Sequence, residues 1–413
     1  MRILIYGINY APELTGIGKY TGEMAAWLAA QGQDVRVVAA PPYYPEWKIA
    51  EGYFCKWYGR ENLDGVEVWR CPVYVPGKPS GLKRILHLAS FALSSLPVML
   101  RQIFWRPDVV FVVEPPLFCA PAAWLAARLS GGTCWLHIQD FEVDAAFDLG
   151  IIRFAWMKRL VSAIESWLMR RFDTVSTISH AMLKRLGEKG IEAPVLFPNW
   201  ADLTCMTFDQ AGAESFRKKL NIGEPETLCL YSGNIAVKQG LEILFDVAQR
   251  LPDCRFVICG DGSNRKSLQE QAESLALSNV IFLPLQPLGQ LTAMLSSADI
   301  HLVIQKTGAA DLVMPSKLTN ILAVGGHAIV TANDDTELGQ LAKAHPGVFE
   351  ICTPDDADSL VRLISSVSKT GKGSGMPNAK ARRYAEDYLD RDKILTSFAA
   401  EVERVVRSGG KGQ

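Results

Sequence analysis

Short apolar runs alternate with helical repeats along most of the chain. The run Ile3-Leu4-Ile5-Tyr6-Gly7 ends in a glycine, and apolar residues then recur at helical spacing from Tyr20 to Ala30. A second apolar run follows at Val35-Arg36-Val37-Val38-Ala39. A strand, a helix and a strand in this order are typical of a βαβ unit, and its repetition predicts a parallel sheet with helices on both faces.

The alternation restarts near the middle of the chain. Further strands are predicted at 108–113, 134–138, 174–178 and 195–197, and then at 227–232, 255–259, 280–283, 300–304 and 328–331. The segment Pro198-Asn199-Trp200-Ala201-Asp202 lies between the two sets. We therefore predict an α/β protein with two Rossmann-like, doubly wound domains, 1–200 and 201–378, that face each other across a crevice. The C-terminal segment 379–413 is predicted to carry one charged amphipathic helix over 379–407.

Composition fits this architecture and narrows the function. The chain has 413 residues, of which 48% are hydrophobic and 21% charged, enough for two ordinary globular cores. Lys and Arg number 43 and Asp and Glu number 44, which gives a formal net charge of -1. A net charge this close to zero argues against a dedicated nucleic-acid binder, which is usually strongly basic. Nine cysteines lack any C-x-x-C pair, which predicts reduced thiols in a cytoplasmic protein.

One apolar segment between basic ends raises the question of a membrane. It runs from Lys83 to Arg101, and its uncharged core from Ile85 to Leu100 is shorter than the roughly 20 residues that a transmembrane helix needs. A helix lying on an anionic membrane surface and a helix buried in the domain both remain open. Trp156-Met157-Lys158-Arg159 and Arg170-Arg171 repeat the combination of basic and aromatic residues.

In open α/β sheets, ligands bind beyond the carboxyl ends of the strands, so the loops there are the candidate sites. Gly16-Ile17-Gly18-Lys19 follows the first strand and opens a helix, where backbone N–H groups can approach a phosphate or a sugar. It is not G-x-G-x-x-G, because position 21 is Thr21, and it is not a P-loop, because Tyr20 follows the lysine. A simple tight turn is an equal alternative.

A histidine ends another predicted strand in the first domain. His137 is followed by Asp140, Glu142 and Asp144. A histidine beside carboxylates can orient a sugar hydroxyl or transfer a proton. The alternative is a hydrogen-bonded histidine in the core, which is the more common fate of a single histidine.

Two loops of the second domain suit a diphosphate. Gly233 to Gly240 combines a glycine turn with Lys238 beside a helix N-terminus. Met314-Pro315-Ser316-Lys317-Leu318-Thr319-Asn320 predicts a Ser N-cap and a helix whose first N–H groups, from Ser316 to Asn320, face the crevice, with Asp311 just upstream. An ordinary helix start is the alternative for each. Asp356-x-Asp358 and Asp390-x-Asp392 are interpreted as capping acids, so no essential metal is predicted.

These motifs resemble a known family over essentially the whole chain. Asn9-Tyr10-x-Pro12-Glu13-x-x-Gly16-x-Gly18, the Gly233 loop and Pro315-Ser316-Lys317-Leu318 resemble, in order and spacing, the GT-B glycosyltransferases of retaining family 4. The resemblance implies that the second domain holds a nucleotide diphosphate sugar and that the first receives the acceptor. It also implies that Gly16 and Gly18 back the donor and that His137 contacts its sugar. The same resemblance implies that the C-terminal segment 379–413 packs back on the first domain.

The resemblance also implies the substrates. The expected donor is GDP-fucose, and the expected acceptor is a polyprenyl-diphosphate-linked saccharide in the synthesis of a colanic-acid-like exopolysaccharide. The enzyme is expected to need no metal and to lie peripherally on the inner face of the cytoplasmic membrane. A UDP-sugar such as N-acetylfucosamine remains open as the alternative donor.

Two departures from the family pattern stand out. Asn234 and Gln239 occupy positions where the family often has arginine and lysine, and Lys238 lies one residue early. The family's pair of glutamates is missing, although Asp311 lies one residue from the first position and Asn320 lies near the second.

The predicted site follows from both arguments. The predicted catalytic residues are His137, Lys238 and Asp140, and the predicted donor-binding residues are Gly16, Gly18, Gly233, Asn234, Gln239, Gly240, Asp311, Ser316, Lys317, Leu318 and Asn320. An NAD-dependent nucleotide-sugar enzyme is a weaker alternative, since the first loop lacks the third glycine and no acidic residue follows the second strand. A catalytically silent scaffold at the membrane is another, because the glutamates are missing.

Overall fold

The computed structural model describes residues 1–77, 81–143, 155–223, 225–307, 314–370 and 376–409. The chain divides into two compact units, Met1–Pro198 with Leu395–Gln413, and Asn199–Ile394. The division between the units falls two residues before the predicted boundary. The end of the chain returns to the first unit, and it does so within the last helix.

The first unit is built on an eight-stranded sheet. Its strands are β1 Arg2–Tyr6, β2 Asp34–Ala39, β3 Gly59–Leu63, β4 Val66–Arg70, β5 Val109–Glu114, β6 Thr133–Ile138, β7 Thr174–Thr177 and β8 Val195–Leu196. The order across the sheet is β3-β4-β2-β1-β5-β6-β7-β8, and the pairs are parallel except β3 with β4. The central strand β5 is buried along its whole length, as expected for a parallel sheet covered on both faces.

Five helices connect the strands of the first unit within the part of the chain that the structure describes. They are α1 Gly16–Ala30, α2 Gly81–Ile103, α3 Ala120–Ser130, α4 Ala155–Met169 and α5 His180–Glu188. The segment predicted as either a buried or a membrane-surface helix is α2. It buries Leu88, Phe91 and Val98 but leaves Leu82 and Leu93 at least 70% exposed. Among the described residues, no helix has the length and apolar character needed to span a bilayer.

The second unit repeats the architecture with a fully parallel sheet. Its strands are β9 Thr227–Ser232, β10 Cys254–Cys259, β11 Val280–Leu283, β12 Ile300–Val303, β13 Ala328–Thr331 and β14 Glu350–Cys352, in the order β11-β10-β9-β12-β13-β14. Its helices are α6 Gln210–Lys219, α7 Ile243–Arg250, α8 Arg265–Ser274, α9 Leu288–Ser296, α10 Ser316–Ala323, α11 Glu337–Ala344, α12 Ala357–Thr370 and α13 Ala379–Tyr388. The predicted pair of Rossmann-like α/β domains is confirmed.

The prediction of one continuous helix over 379–407 is wrong. Two helices occupy this segment, α13 and α14 Arg391–Gly409. The break occurs because the backbone here pairs with Ala201: Ala201 N donates to Leu389 O, and Arg391 N donates to Ala201 O. The Asp390 carboxylate then caps the next helix by accepting from Lys393 N. The capping role predicted for Asp390 is therefore confirmed.

Helix α14 packs against the core of the first unit through one aromatic side chain. Phe398 stacks on Phe197 with ring centroids 4.2 Å apart and meets Phe111 and Trp135 edge-on at 5.4 and 5.3 Å. Burial of a phenylalanine at this point ties the end of the chain to the sheet of the first unit.

Candidate functional site

The loop after β1 is held in place by one buried carboxylate. Glu13 is only 5% exposed and accepts hydrogen bonds from the backbone N–H groups of Tyr43 and Tyr44, at 3.1 and 3.0 Å, and from Asn9 Nδ2 at 3.0 Å. Burial raises the pKa of Glu13, and these three donors oppose that effect. The carboxylate thus fastens the loop after β1 to the loop after β2. The sequence motif contained Glu13, but the predicted site omitted it.

Both predicted glycines lie in the first turn of α1. Gly16 begins the helix with a φ of 61°, and a Cβ at Gly18 would come within 2.7 Å of the Glu13 Cβ. Only glycine fits this close approach without displacing Glu13. No side chain caps the helix start at Thr15, so its first N–H groups remain available to an anion or a sugar.

His137 belongs to the core rather than to an open edge. The ring is 2% exposed, its Nδ1 lies 2.9 Å from Ser176 Oγ, and its Nε2 lies 3.1 Å from the Gln139 amide. It also packs against Phe111 and Phe197. Burial lowers the pKa of His137 to about 3, so the ring is neutral near pH 7. Both ring nitrogens have hydrogen-bond partners in this structure, and the catalytic role of His137 stays a prediction.

Acidic side chains gather at the ends of β5 and β6. Asp140 is exposed just beyond β6, and Glu142 accepts from Leu117 N at 2.9 Å. Glu114 is fully buried, and neither of its carboxylate oxygens has a hydrogen-bond partner among the described residues. Burial holds the pKa of Glu114 well above its usual range, and the negative charge of Glu142 has the next largest effect in the same direction. The predicted contribution of Asp144 lies outside the described residues.

In the second unit, the loops after β9 and β10 pack backbone against backbone. Gly233 N donates to Cys259 O at 3.0 Å, and Ile235 N donates to Asp261 O at 2.8 Å. Gly233 and Gly260 have φ angles of 140° and 147°, and a Cβ on Gly260 would overlap the Gly233 carbonyl. The glycines are therefore required for the two loops to lie this close.

The side chain of Lys317 points to the Gly233 loop from the start of α10. Its Nζ lies 4.0 Å above the ring of Tyr231 and 3.5 Å from where a Cβ of Gly233 would stand. The ammonium is buried and has no hydrogen-bond partner among the described residues. Burial alone lowers the pKa of Lys317 to about 7. An unpaired buried cation is costly, and an anion at this point would remove that cost.

The start of α10 differs from the prediction in two respects. Ser316 is the first helical residue rather than the N-cap, and Pro315 in the cap position provides no side-chain bond. Leu318 N donates to Pro315 O at 2.8 Å, and the Leu318 side chain is fully buried in the core. The Leu318 N–H is therefore not free, so the row of free N–H groups from Ser316 to Asn320 is interrupted, and the donor-binding role of Leu318 stays a prediction. Asn320 Oδ1 is buried without a hydrogen-bond partner among the described residues, as a ribose-binding group would be.

A second lysine, which the sequence analysis missed, borders the same loop. Lys306 follows β12, its alkyl chain lies where a Cβ of Gly240 would stand, and its Nζ is 4.0 Å from Glu242 Oε2. Gln239 Oε1 is buried without a hydrogen-bond partner among the described residues. The position of Lys306 in the loop that follows β12 was the signal that could have identified it.

Three further residues of the predicted site are Asn234, Lys238 and Asp311. Asn234 is exposed, and its carbonyl accepts from the Tyr231 hydroxyl at 2.7 Å. Lys238 lies in a 3-10 turn, Val237–Gln239, but its side chain is outside the description, and Asp311 lies outside the described residues altogether.

The acidic pairs considered as metal ligands serve helix starts. Asp356 accepts from Ser359 N at 3.0 Å, as Asp390 does from Lys393 N. Within the described ranges, no group of three His, Cys, Asp or Glu side chains is arranged to hold a metal ion.

Two family models together match most of the chain. The model described as "Glycosyl transferase 4-like domain" matches residues 15–200, and the one described as "Glycosyl transferases group 1" matches residues 212–386. A colanic acid biosynthesis glycosyl transferase of Escherichia coli K12, WcaI, is 46% identical over 410 residues, which cover 97% of this chain and 100% of that protein.

Solved structures share the fold at low identity. Sucrose-phosphate synthase from Thermosynechococcus elongatus has a TM-score of 0.76 at 14% identity, with 98% of this chain and 99% of that chain covered. Anabaena Alr3699/HepE in complex with UDP has a TM-score of 0.70 at 15% identity, with 98% and 100% covered.

Proposed function

This chain belongs to the GT-B glycosyltransferases that join a 4-like domain to a group 1 domain, and from this premise we propose that it transfers L-fucose from GDP-fucose to a lipid-linked saccharide. The polymer built in this way is a colanic-acid-like exopolysaccharide, since WcaI of E. coli, a full-length relative, is named for colanic acid biosynthesis. The chain is thus an enzyme, and neither the NAD-dependent alternative nor the silent scaffold is retained.

The observation that carries the proposal is the unpaired ammonium of Lys317. It is buried beside the Gly233 loop, where the backbone of two adjoining loops and the start of α10 converge. A nucleoside diphosphate at this point supplies the missing anion and restores the charge of the lysine. The buried oxygens of Asn320 and Gln239 offer acceptors for ribose hydroxyls in the same unit.

The proposed chemistry follows from where charge develops. As the bond between the anomeric carbon and the diphosphate oxygen breaks, negative charge grows on the leaving diphosphate, and Lys317 stabilises it. The acceptor hydroxyl attacks from the same face, so the configuration is retained, and a diphosphate oxygen takes its proton. No metal and no enzymic nucleophile take part in this scheme.

Substitution of Lys317 tests this role. We expect Lys317→Ala to lower turnover roughly 100-fold, as removal of a preorganised stabilising group does. The assay follows radiolabelled fucose from GDP-fucose to polyprenyl diphosphate glucose, with UDP-N-acetylfucosamine in a parallel reaction. Lys266→Ala is the matched control, because Lys266 is 89% exposed on α8.

The outcomes separate the alternatives. Near-wild-type turnover of Lys317→Ala would contradict the role of this lysine, and Lys238→Ala in the same assay shows whether Lys238 carries the charge instead. Transfer from the UDP-sugar alone would keep the mechanism and replace the donor.

The acceptor in this proposal is lipid-linked, so the first unit docks on the inner face of the cytoplasmic membrane. Helix α4 exposes an apolar stripe at helical spacing, formed by Trp156, Leu160, Ile164 and Trp167. Arg159, Arg170 and Arg171 are exposed on or beside this helix. An apolar stripe with basic neighbours has the chemistry of a helix that lies on an anionic bilayer.

A further inference from the structure

A small pocket in the first unit is walled by aromatic side chains that the fold leaves largely uncovered. Its volume is about 180 Å³, and Tyr53, Phe54, Trp57 and Tyr58 are among its lining residues. Phe54 and Trp57 are 74% and 75% exposed. Large aromatic side chains grouped at a concave surface usually mark a binding site.

The same pocket contains an ion pair between a buried arginine and a half-buried glutamate. Arg70 is 4% exposed, and its Nε donates to Glu61 Oε1 at 2.6 Å. The Tyr53 hydroxyl donates to the other Glu61 oxygen at 3.3 Å. The pair fixes the position of a half-buried carboxylate that keeps free lone pairs and faces the aromatic walls.

Arg70 also connects the pocket to the candidate site. It is the last residue of β4, and its guanidinium donates to Ala40 O beyond β2, at 2.9 Å, and to Ala11 O beyond β1. Ala11 lies in the loop that Glu13 fastens, two residues before it. The pocket therefore opens at the carboxyl edge of the sheet, next to the glycine-bearing loop.

We infer that this pocket binds a pyranose ring of the saccharide acceptor. A pyranose presents an apolar C–H face and a rim of hydroxyl groups. The aromatic side chains Phe54 and Trp57 suit the apolar face, and the carboxylate of Glu61 suits the hydroxyl rim. The inference rests on the proposed function, because it deepens the acceptor side of the same reaction.

A bilayer surface is the competing occupant, and the pocket suits it less well. The concave shape and the Arg70–Glu61 pair would bring lipid chains against fixed charges, which is unfavourable. The apolar stripe on α4 has no such acidic group among its exposed members.

Binding of free sugars tests the pocket without a known acceptor. We would record saturation-transfer difference NMR spectra of the full chain with the methyl pyranosides of glucose, galactose, fucose and glucuronic acid. One or more of these is expected to bind, and Trp57→Ala is expected to weaken that binding about tenfold, which corresponds to about 1.4 kcal/mol. Phe104→Ala is the matched control, because Phe104 is 88% exposed in the first unit and is not among the residues that line the pocket.

Three results would overturn the inference: no signal from any of the four sugars, equal binding by wild type and Trp57→Ala, or a loss of vesicle binding in Trp57→Ala with sugar binding intact. Because Trp57 is largely exposed, its removal should leave the melting temperature unchanged, and that measurement excludes misfolding. The proposed function is tested separately, since protection by a nucleoside diphosphate reports on the second unit alone.

Discussion

At the scale of the residue, Glu13 fastens the loop after β1 to the loop after β2. Its carboxylate occupies the space beside Gly18 and accepts from two consecutive backbone N–H groups after β2. Among the described residues, Glu13 is the acceptor of both N–H groups. The glycines make the close approach feasible, and the carboxylate makes it stable.

Removal of this carboxylate should loosen both loops. Glu13→Ala leaves two buried N–H groups unpaired, which costs about 1–3 kcal/mol. We expect faster hydrogen–deuterium exchange in peptides covering 9–18 and 40–47. Glu13→Gln should exchange like wild type, because its amide oxygen can accept both N–H groups and Asn9 can turn its own amide to match. Exchange in Glu13→Ala equal to that in Glu46→Ala, an exposed control, would refute this role.

Glu114 should make stability depend on pH. Its pKa is raised by burial, so the folded state stays protonated at pH values where the unfolded state has lost the proton. Its contribution is fully present below the unfolded pKa and is lost as the pH rises through the folded pKa.

Glu114→Gln should remove this dependence. The amide does not titrate, so the melting temperature of the variant relative to wild type should be higher at pH 8 than at pH 5, by about 2–4 °C for each kcal/mol recovered. Glu188→Gln, at an exposed position on α5, is the control. A difference that is the same at both pH values would show that Glu114 ionises normally.

The sequence could identify some of these residues and not others. The glycines at 16, 18 and 233 were predictable, because close backbone approach requires them. The sequence could not show that His137 is hydrogen-bonded in the core while Lys317 is buried without a partner among the described residues, because these surroundings depend on residues distant in the chain. Ser176 on a neighbouring strand lies within hydrogen-bond distance of the histidine, whereas the lysine lies over Tyr231 and has no acceptor among the described residues.

At the scale of the element, apolar runs predicted the buried parallel strands, such as β1, β5 and β10. The hairpin of β3 and β4 was missed, because β3 is a polar edge strand and β4 alternates apolar with polar residues. The helix break at Leu389 was also missed, since it depends on pairing with Ala201. Edge strands and such bridges are set by tertiary contacts, which local patterns do not encode.

The exposed apolar stripe on α4 is expected to bind membranes. Trp156→Ala with Leu160→Ala removes two apolar groups, each contributing about 1.5–3 kcal/mol when buried. We therefore expect at least about tenfold weaker sedimentation with phosphatidylcholine–phosphatidylglycerol vesicles. Leu275→Ala, exposed in the second unit, is the control. Unchanged sedimentation of the double variant would remove α4 from the docking surface.

At the scale of the whole molecule, two α/β units divide the work in the proposed reaction. The second unit offers an unpaired cation and buried acceptors, which suit the nucleotide. The first offers a fastened glycine loop, an aromatic pocket and an apolar helix face, which suit a lipid-linked saccharide. The division into two such domains was predictable from the repeated strand pattern. The return of the chain end to the first unit was implied by the family resemblance, and the packing of Phe398 is the contact that produces it.

The central claim is that the second unit binds a nucleoside diphosphate through Lys317. The most direct measurement is thermal unfolding of wild type and Lys317→Ala with GDP, UDP, ADP or NAD. A nucleotide at about 100 times its dissociation constant adds about 2.7 kcal/mol of stability. The account predicts that GDP raises the melting temperature of wild type but not of Lys317→Ala. Protection by NAD alone, or equal protection of both proteins, would contradict it.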